Sequence, residues 1–355
     1  MTSLPRADLA TLPAYVPGKT IQGAIKLASN EVSAGPLPSV RAAIAEAAAG
    51  VNRYPDTGSQ ALVSRLAERF DLEPGRVVVG CGSVSLCQMV IQATCTPADA
   101  VLFGWRSFEA YPILSQVVGT TQITVPTTPE HALDVDALLA AITPETRVVF
   151  LCSPNNPTGT TLTGAELTRF VESAPEHVLI VLDEAYREFV DDPEVPDGIE
   201  FAKRCWAEGR ENIAVLRTFS KAYGLAGIRV GYCAAPVPVA EALRKVAVPF
   251  AVNMLAQTAA IASLDAEEEL MARCREIIAE RARVRSALQE YGYEVPPSQA
   301  NFVWLPLGAR TAAFDEHCLG HKVIVRAFAD SGARITIGTR EENDALLEAA
   351  RTFAG

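Results

Sequence analysis

Short apolar segments alternate with amphipathic segments along the first two thirds of the chain. Runs rich in β-branched and other apolar residues predict strands over 76–80, 100–104, 122–126, 147–152, 177–182, 212–219 and 229–235. Apolar residues at helical spacing predict helices over 60–70, 85–94, 134–141 and 164–173. Because continuous apolar strands that alternate with helices are typical of parallel sheets, we predict an α/β domain whose mostly parallel sheet is covered by helices on both faces.

The pattern changes after about residue 236. Two long helical stretches, over 238–264 and 266–290, precede short strands at SQANFVWLPL, VIVRAF and ARITIG and a closing helix over 341–353. This pattern predicts a smaller α+β domain at the C-terminus. The predicted organisation is an N-terminal arm over 1–35, a large domain over 36–236 and a small domain over 237–355. We expect the proline-rich arm to pack on the large domain or on a partner subunit.

The composition excludes several classes of protein. The 355 residues allow about two domains, and 49% apolar against 21% charged residues excludes general disorder. The net charge of −11 argues against nucleic acid as a partner, because phosphate binding needs clustered Lys and Arg. The sequence contains no apolar run of about 18 residues, the length that would predict a membrane helix. The start MTSLPRADLA lacks the charged and then apolar pattern of a secretory signal peptide. We therefore expect a cytoplasmic protein with no membrane partner.

Cysteine and histidine spacing predicts neither a disulfide scaffold nor a metal site. The eight cysteines include no CxxC pair. His317 and His321 are close in sequence, but the glutamate of a zinc-protease motif is missing between them. We interpret the cysteines as small apolar residues and the histidines as surface residues.

Residues with candidate chemistry follow the predicted strands, where ligands bind in a doubly wound sheet. Lys221 comes shortly after a strand, and burial there would lower the pKa of its amine and allow a Schiff base, although a solvated lysine is the simpler alternative. Asp183 closes the apolar run VLIVL, so its carboxylate needs a cationic partner. A protonated pyridine nitrogen is one such partner, and a helix cap or a salt bridge is the structural alternative.

Three further segments fit a phosphorylated pyridine ring. Asn156 in the NNPTG turn and Tyr186 after Asp183 carry groups that could donate to a phenolate oxygen. The GCGSVS turn leads into a predicted helix whose N–H groups would bind a phosphate, with Arg229 as the countercharge. Because GCGSVS breaks the glycine fingerprint of dinucleotide sites and lacks a P-loop lysine, a nucleotide-dependent dehydrogenase is the weaker alternative.

These motifs carry a resemblance to a known family. SPNNPTG, DEAY and SKAYGLAGIRVGY resemble the motifs of fold-type I pyridoxal-phosphate (PLP) aminotransferases. They are most similar to the branch that contains histidinol-phosphate aminotransferases and actinobacterial aromatic or phenylalanine aminotransferases. The match runs from YVPGK and LASNE to ANFVWL and ARITIGTREEN, and FGWRSFEAYP and GCGSVSLCQ most resemble the aromatic subgroup. The resemblance implies the fold of a fold-type I PLP-dependent transferase.

The resemblance also implies a role for each matching position. Lys221 would form the Schiff base and move the substrate proton, Asp183 would pair with the pyridinium, and Asn156 and Tyr186 would bond the ring oxygen. Further cofactor contacts are implied for Phe108 on the ring face, for Tyr54 from the other subunit of a homodimer, and around the phosphate for Ser83, Val84, Thr218, Ser220 and Arg229. For substrate binding, the resemblance implies Arg334 as the clamp of the α-carboxylate, with Asn30 close to it. Tyr15 and Trp105 are candidates for the side-chain pocket, and core packing is the alternative for Tyr15, Trp105 and Phe108. Arg326 lies in VIVRAF, a short strand just before ARITIG, so it could face the same pocket as Arg334 and bind a phosphate or the second carboxylate of 2-oxoglutarate.

We therefore expect a homodimeric PLP aminotransferase that acts on aromatic amino acids. Phenylalanine and tyrosine are the expected donors, tryptophan is a further candidate, and 2-oxoglutarate is the expected acceptor. A histidinol-phosphate aminotransferase is the main alternative, but the acidic residue that commonly follows the phosphate-loop serine is replaced in Ser83-Val84-Ser85. A decarboxylase of the same fold is more distant. A non-catalytic regulator is disfavoured, since we see no added basic DNA-binding segment.

Overall fold

A computed structural model of the chain describes residues 21–354. The strands are β1 (Ile25–Lys26), β2 (Val77–Gly80), β3 (Ala100–Trp105), β4 (Thr121–Pro126), β5 (Thr146–Cys152), β6 (Leu179–Asp183), β7 (Ile213–Thr218), β8 (Gly231–Ala234), β9 (Phe302–Leu305), β10 (Val323–Ile324), β11 (Arg326–Phe328) and β12 (Gly332–Thr336). The helices are α1 (Pro38–Ala47), α2 (Gln60–Phe70), α3 (Ser83–Thr94), α4 (Ala110–Val118), α5 (Val135–Ala140), α6 (Gly164–Ser173), α7 (Gly198–Ala207), α8 (Val237–Val246), α9 (Met254–Asp265), α10 (Glu267–Glu290), α11 (Thr311–Gly320) and α12 (Arg340–Ala354). Short 3₁₀ turns lie at Ala48–Gly50, Pro74–Arg76, Arg187–Phe189 and Gly308–Arg310.

Within the described residues, a central sheet of seven strands has the order β2-β8-β7-β6-β5-β3-β4. Only β8 among them runs against its neighbours, and the strands from β7 to β4 pair in parallel. Side chains of β6 alternate between two apolar cores, with Ile180 and Leu182 in one and Leu179 and Val181 in the other. Both faces are therefore covered, which explains the continuous apolar run and confirms the predicted mostly parallel α/β sheet.

The register of the sheet brings three strand ends to the same edge. Asp183 at the end of β6 lies level with Cys152 of β5 and with Leu216 of β7. The NNPTG turn, the DEAY segment and the segment that contains Lys221 therefore start beside one another. Parallel strands place their carboxyl ends together, which is the reason that the motifs meet.

A second, antiparallel sheet with the order β11-β12-β9 lies in the C-terminal part of the chain. Arg326 in β11 is the direct partner of Arg334 in β12, so the two side chains are on the same face of this sheet. β1 pairs in parallel with β10, and Leu27 joins the apolar core formed with α11 and α12. The predicted small α+β arrangement of short strands and helices is confirmed.

The helices after β8 pack against the central sheet and its helices. α8 contacts α3, and α9 contacts α1 and α2. Ala240 and Leu243 of α8, and Ala256 and Ala260 of α9, belong to the cores on the two faces of the central sheet. The division into 1–35, 36–236 and 237–355 stays a prediction, and this packing leads us to propose a later boundary, near the start of α10.

The stretch predicted as helical over 238–264 is two helices, α8 and α9. Pro249 lies in the interruption, and proline supplies no N–H for a continuous helix. Asn253 then caps α9, because its side-chain oxygen accepts a hydrogen bond of 2.8 Å from the Ala256 N–H. No helix within residues 21–354 has both the length and the apolar character needed to cross a bilayer.

Candidate active site

A cavity of about 520 Å³ opens at the carboxyl ends of the central strands. Among the predicted site residues, its lining includes Asn30, Ser83, Val84, Phe108, Asn156, Asp183, Tyr186, Thr218, Ser220, Lys221, Arg229, Arg326 and Arg334. These residues come from separate segments spread over about 300 positions of the sequence, and the strand register and the C-terminal sheet bring them together. This concentration of polar groups in one cavity marks it as the candidate active site.

Lys221 contributes an amine to this cavity. It follows β7, and its Nζ donates a hydrogen bond of 3.2 Å to the backbone carbonyl of Ser29. Burial lowers the pKa of Lys221 to about 7, and the positive charges of Arg334 and Arg229 act in the same direction. A large fraction of the amine is therefore neutral near pH 7, as a nucleophile or a general base requires.

Asp183 places a carboxylate at the bottom of the cavity. Its Oδ2 accepts a hydrogen bond of 2.6 Å from the Tyr111 hydroxyl. Within the described residues, no hydrogen bond satisfies its buried Oδ1. Burial raises the pKa of Asp183 to about 6, although the Tyr111 hydrogen bond favours the ionised form. A buried oxygen without a donor is costly unless a ligand supplies one, and the protonated nitrogen of a pyridine ring fits this requirement.

Two donors for an anionic ring oxygen lie on neighbouring segments. Arg334 donates from Nη1 to the side-chain oxygen of Asn156 and from Nη2 to the Ala28 carbonyl, the latter at 2.7 Å. Because a guanidinium can only donate hydrogen bonds, this contact fixes the orientation of the Asn156 amide. The NH₂ group of Asn156 is then left to donate to a ligand. The Tyr186 hydroxyl accepts a hydrogen bond of 2.9 Å from Asn30, and burial raises its pKa, so the hydroxyl keeps its proton.

The start of α3 forms a cradle for an anion. Gly82 precedes the helix with a φ of +79°, a conformation suited to glycine. Because glycine has no side chain, the N-cap position supplies no side-chain acceptor to the first N–H groups of the helix. The first N–H groups of α3, beginning at Ser83 and Val84, are therefore available to a phosphate. Arg229 Nη1 lies 3.2 Å from the Ser220 hydroxyl, which also accepts a hydrogen bond of 3.0 Å from Thr218. A cation and two hydroxyls thus face the helix terminus.

The remaining predicted residues occupy different positions. Phe108 lines the cavity and meets Tyr111 edge to face, with 5.5 Å between the ring centroids. Trp105 ends β3 and is not among the described residues that line the cavity, so its role in the side-chain pocket stays a prediction. Tyr54 is 82% exposed and stacks on Phe250, outside the cavity of its own chain. Tyr15 lies outside the described residues.

Three contributors to the site were not predicted from the sequence. Tyr111 orients Asp183, and Glu109 forms an ion pair of 2.9 Å with Arg326. Asn155 accepts a hydrogen bond of 2.7 Å from the Ser107 hydroxyl and so holds the NNPTG turn against the segment after β3. The three residues lie in two of the motifs quoted above, FGWRSFEAYP and SPNNPTG, but only tertiary contacts distinguish them from their neighbours.

Comparison with known proteins decides the family. Residues 22–349 match the family described as Aminotransferase class I and II. The chain belongs to this family. The assignment confirms the predicted aminotransferase chemistry, the fold-type I architecture and pyridoxal phosphate as the cofactor. The buried Asp183, the amine of Lys221 and the cradle at α3 fit that cofactor.

Named relatives cover nearly the whole chain. The chain is 57% identical to the aromatic amino acid aminotransferase of Rhodococcus jostii, over 98% of this chain and 95% of that protein. It is 54% identical to the aromatic amino acid aminotransferase of Mycobacteroides abscessus, over 98% of both chains. A solved histidinol-phosphate aminotransferase from Sinorhizobium meliloti, in complex with pyridoxal-5'-phosphate, is 27% identical with a TM-score of 0.88 and covers 100% of this chain and 98% of that chain.

Proposed function

We propose that the protein transfers the amino group of aromatic amino acids to 2-oxoglutarate. Phenylalanine and tyrosine are the proposed donors, with tryptophan as a further candidate. The observation that carries this proposal is the full-length similarity, at more than half of all positions, to relatives named aromatic amino acid aminotransferase. The apolar side chains of Phe108, Ile113 and Leu114 in the cavity wall support it, because they can cover an aromatic ring.

The proposed cofactor contacts follow the geometry of the cavity. Lys221 would hold the cofactor through its amine, and Asp183 would keep the ring nitrogen protonated. Asn156 and Tyr186 would donate to the ring oxygen, while α3 and Arg229 would bind the phosphate. When bound, pyridoxal phosphate supplies a conjugated ring that withdraws electrons from the substrate Cα.

Lys221 is also the proposed group that moves the substrate proton. A general base works best when its pKa lies near the working pH, and the pKa of Lys221 is about 7. The Lys221 amine would therefore take the proton from the substrate Cα and hold it for its return on the cofactor side of the transferred nitrogen.

Arg334 is the proposed clamp for the α-carboxylate of the substrate. Its guanidinium is fixed by Asn156 and by the Ala28 carbonyl, so little side-chain entropy is lost on binding. Asn30 lies beside it, because its N–H donates a hydrogen bond of 2.9 Å to Thr336 in the same strand as Arg334. Arg326, on the same face of that sheet, also lines the cavity, and we assign it to the end that receives the substrate side chain.

We further propose a homodimer whose partner completes the site. Tyr54 and Val248 are 82% and 72% exposed, and Phe250 beside Tyr54 is 42% exposed. Such exposure of large apolar side chains in two neighbouring loops is typical of a surface that another protein chain covers. A partner seated there would bring Tyr54 to the phosphate end of the neighbouring cavity. The free thiols of all eight cysteines support the proposed cytoplasmic location, where thiols stay reduced.

A donor panel tests the proposed reaction. We compare kcat/KM for phenylalanine, tyrosine, tryptophan and histidinol phosphate with 2-oxoglutarate as the common acceptor. The proposal expects phenylalanine to exceed histidinol phosphate by about tenfold or more, equivalent to about 1.4 kcal/mol in the barrier. A tenfold ratio in the opposite direction would assign the chain to the histidinol-phosphate branch, as the fold of the Sinorhizobium meliloti protein also allows.

A further inference from the structure

Glu109 and Arg326 form an ion pair in the wall of the active-site cavity. Glu109 Oε2 and Arg326 Nη2 are 2.9 Å apart, and both residues line the cavity. Glu109 is the residue that caps the start of α4, but its side chain makes no cap hydrogen bond. The carboxylate is used instead for the contact with Arg326, which begins β11.

The ion pair determines the charge at one end of the cavity. Arg334, the cross-strand partner of Arg326, is held by Asn156 and Ala28 and is the proposed clamp for the α-carboxylate. A second anionic group on a ligand would therefore meet Arg326. The charge of Glu109 offsets the charge of Arg326, so the net charge of the pair is zero.

We propose that Glu109 is a specificity-determining residue that keeps the side-chain end of the cavity electrically neutral. This inference rests on the proposed function and extends it. A neutral aromatic ring enters without displacing the pair. A second carboxylate, such as that of 2-oxoglutarate, is still admitted but competes with Glu109 for Arg326. A phosphate dianion is repelled most strongly by the nearby carboxylate of Glu109.

A simpler role for the ion pair is structural, as a tie that holds the start of α4 against the C-terminal sheet. A neighbouring contact already links the segment before α4 to the turn between β11 and β12, because Arg106 Nε donates a hydrogen bond of 2.8 Å to Ser331. A tie would stabilise the closed arrangement for every ligand, whereas a charge-setting residue would discriminate among ligands by their charge. The two roles are therefore separated by ligands that share one carboxylate and differ in the charge of the other end, when the affinity of each ligand is compared between the wild type and a variant.

Three propionates form such a series. 3-Phenylpropionate, succinate and 3-phosphonopropionate share one carboxylate and carry a neutral, a singly charged and a doubly charged group at the other end. None has an amine, so none is a substrate. Their dissociation constants are measured by calorimetry on the holoenzyme, for the wild type, for Glu109→Gln and for Glu176→Gln. Glu176 is an exposed glutamate before β6 and serves as the matched control.

The proposal expects the wild type to bind 3-phenylpropionate most tightly and 3-phosphonopropionate least tightly. Glu109→Gln should lower the dissociation constant of 3-phosphonopropionate by about tenfold or more, and that of succinate by a smaller factor. The reason is that Arg326 loses the carboxylate that neutralises it within the protein. The same variant should change 3-phenylpropionate by less than about twofold. Glu176→Gln should change none of the three. The double variant Glu109→Gln with Arg326→Gln should restore the wild-type order of affinities.

Equal changes for all three probes, or no change, would overturn the proposal and leave the pair as a tie. Arg326→Gln provides a second test if Glu109→Gln folds poorly. This variant should weaken the binding of both succinate and 3-phosphonopropionate relative to that of 3-phenylpropionate. Unchanged ratios of the three dissociation constants would also overturn the proposal. Failure of the proposed function is distinguishable, because it would appear as absent turnover of phenylalanine while the charge-dependent shifts in affinity persist.

Discussion

At the scale of single residues, the site depends on groups whose burial is unfavourable without a ligand. Asp183 is 2% exposed, yet one of its oxygens has no donor within the described residues. The raised pKa of Asp183, about 6, reflects the same desolvation. A carboxylate in this state is costly to the folded chain, and the cost is offset when a cation binds beside it.

Asp183→Asn should therefore have opposite effects on turnover and on stability. Asparagine cannot stabilise a protonated ring nitrogen, so kcat should fall by a factor on the order of 100 to 1,000. The cofactor-free variant should be at least as stable as the cofactor-free wild type at pH 8, because a buried charge has been removed. Single-turnover kinetics and thermal unfolding measure the two effects. Unchanged exchange of the substrate Cα proton would show that Asp183 has only a structural role.

Lys221 should react with aldehydes at unusually low pH. Burial lowers its pKa from an ordinary value of 10.5 to about 7, so the neutral amine accumulates as the pH rises through 7. The rate at which pyridoxal phosphate attaches to the cofactor-free protein should increase from pH 6 to pH 8 and then level off. Stopped-flow absorbance gives this profile. A rate that continues to rise to about pH 10 would mean that Lys221 behaves as a solvated lysine.

At the scale of elements, the phosphate cradle depends on the close approach of α3 to Arg229. A Cβ added at Gly82 would lie 2.5 Å from Arg229 Nη2, and the φ of +79° would be strained for any other residue. Gly227 lies two residues before Arg229, has no atom within 4 Å of an added Cβ, and has an ordinary φ. The two glycines therefore form a matched pair for substitution.

Gly82→Ala should weaken the binding of pyridoxal phosphate, because the methyl group displaces the guanidinium that balances the phosphate. We expect the dissociation constant, measured by equilibrium titration of the cofactor-free protein, to increase by about tenfold or more. Gly227→Ala should change it by less than about twofold. Equal affinities for the two variants would exclude the start of α3 as the phosphate site.

Elements with strong periodicity could be predicted closely from the sequence. α2 and α6 occupy the residues predicted for them, and β6 ends at Asp183, one residue after the predicted strand over 177–182. α4 was missed because AYPILSQVV contains Pro112 and two β-branched valines at its end, which is a weak helical pattern. The helix is nevertheless formed because Tyr111 and Leu114 are buried against the sheet.

The candidate site was predictable where motifs follow strand ends, as at Asn156, Asp183 and Lys221. Parallel strands necessarily bring such ends together, so sequence order and polarity were enough. The roles of Tyr111 and Glu109 were not predictable, since they depend on contacts with Asp183 and Arg326 from distant segments. These individual roles stay proposals.

At the scale of the whole molecule, the proposed dimer makes each active site depend on two chains. Tyr54 lies outside the cavity of its own chain and is exposed, together with Val51, which is 60% exposed. If Tyr54 reaches the partner's cofactor, a heterodimer can combine an intact Lys221 with an intact Tyr54 in one of its two sites.

Mixing Lys221→Ala subunits with Tyr54→Ala subunits should therefore restore activity. Neither homodimer contains an intact site, whereas each heterodimer contains one. After complete exchange at equal concentrations, random pairing gives about a quarter of the wild-type site concentration and a similar fraction of the activity. Native mass spectrometry confirms the exchange. Heterodimers without recovered activity would show that each cavity is complete within one chain.

We assign the cofactor chemistry to Lys221, in the cavity beside Asp183. The most direct test of this assignment is borohydride reduction of the protein loaded with pyridoxal phosphate, followed by proteolysis and mass spectrometry of the peptides. We expect a phosphopyridoxyl group on the peptide that contains Lys221, no label on the peptides of Lys203 and Lys245, and no specific label in Lys221→Ala. A label on another lysine, or retention of the label in Lys221→Ala, would contradict this assignment.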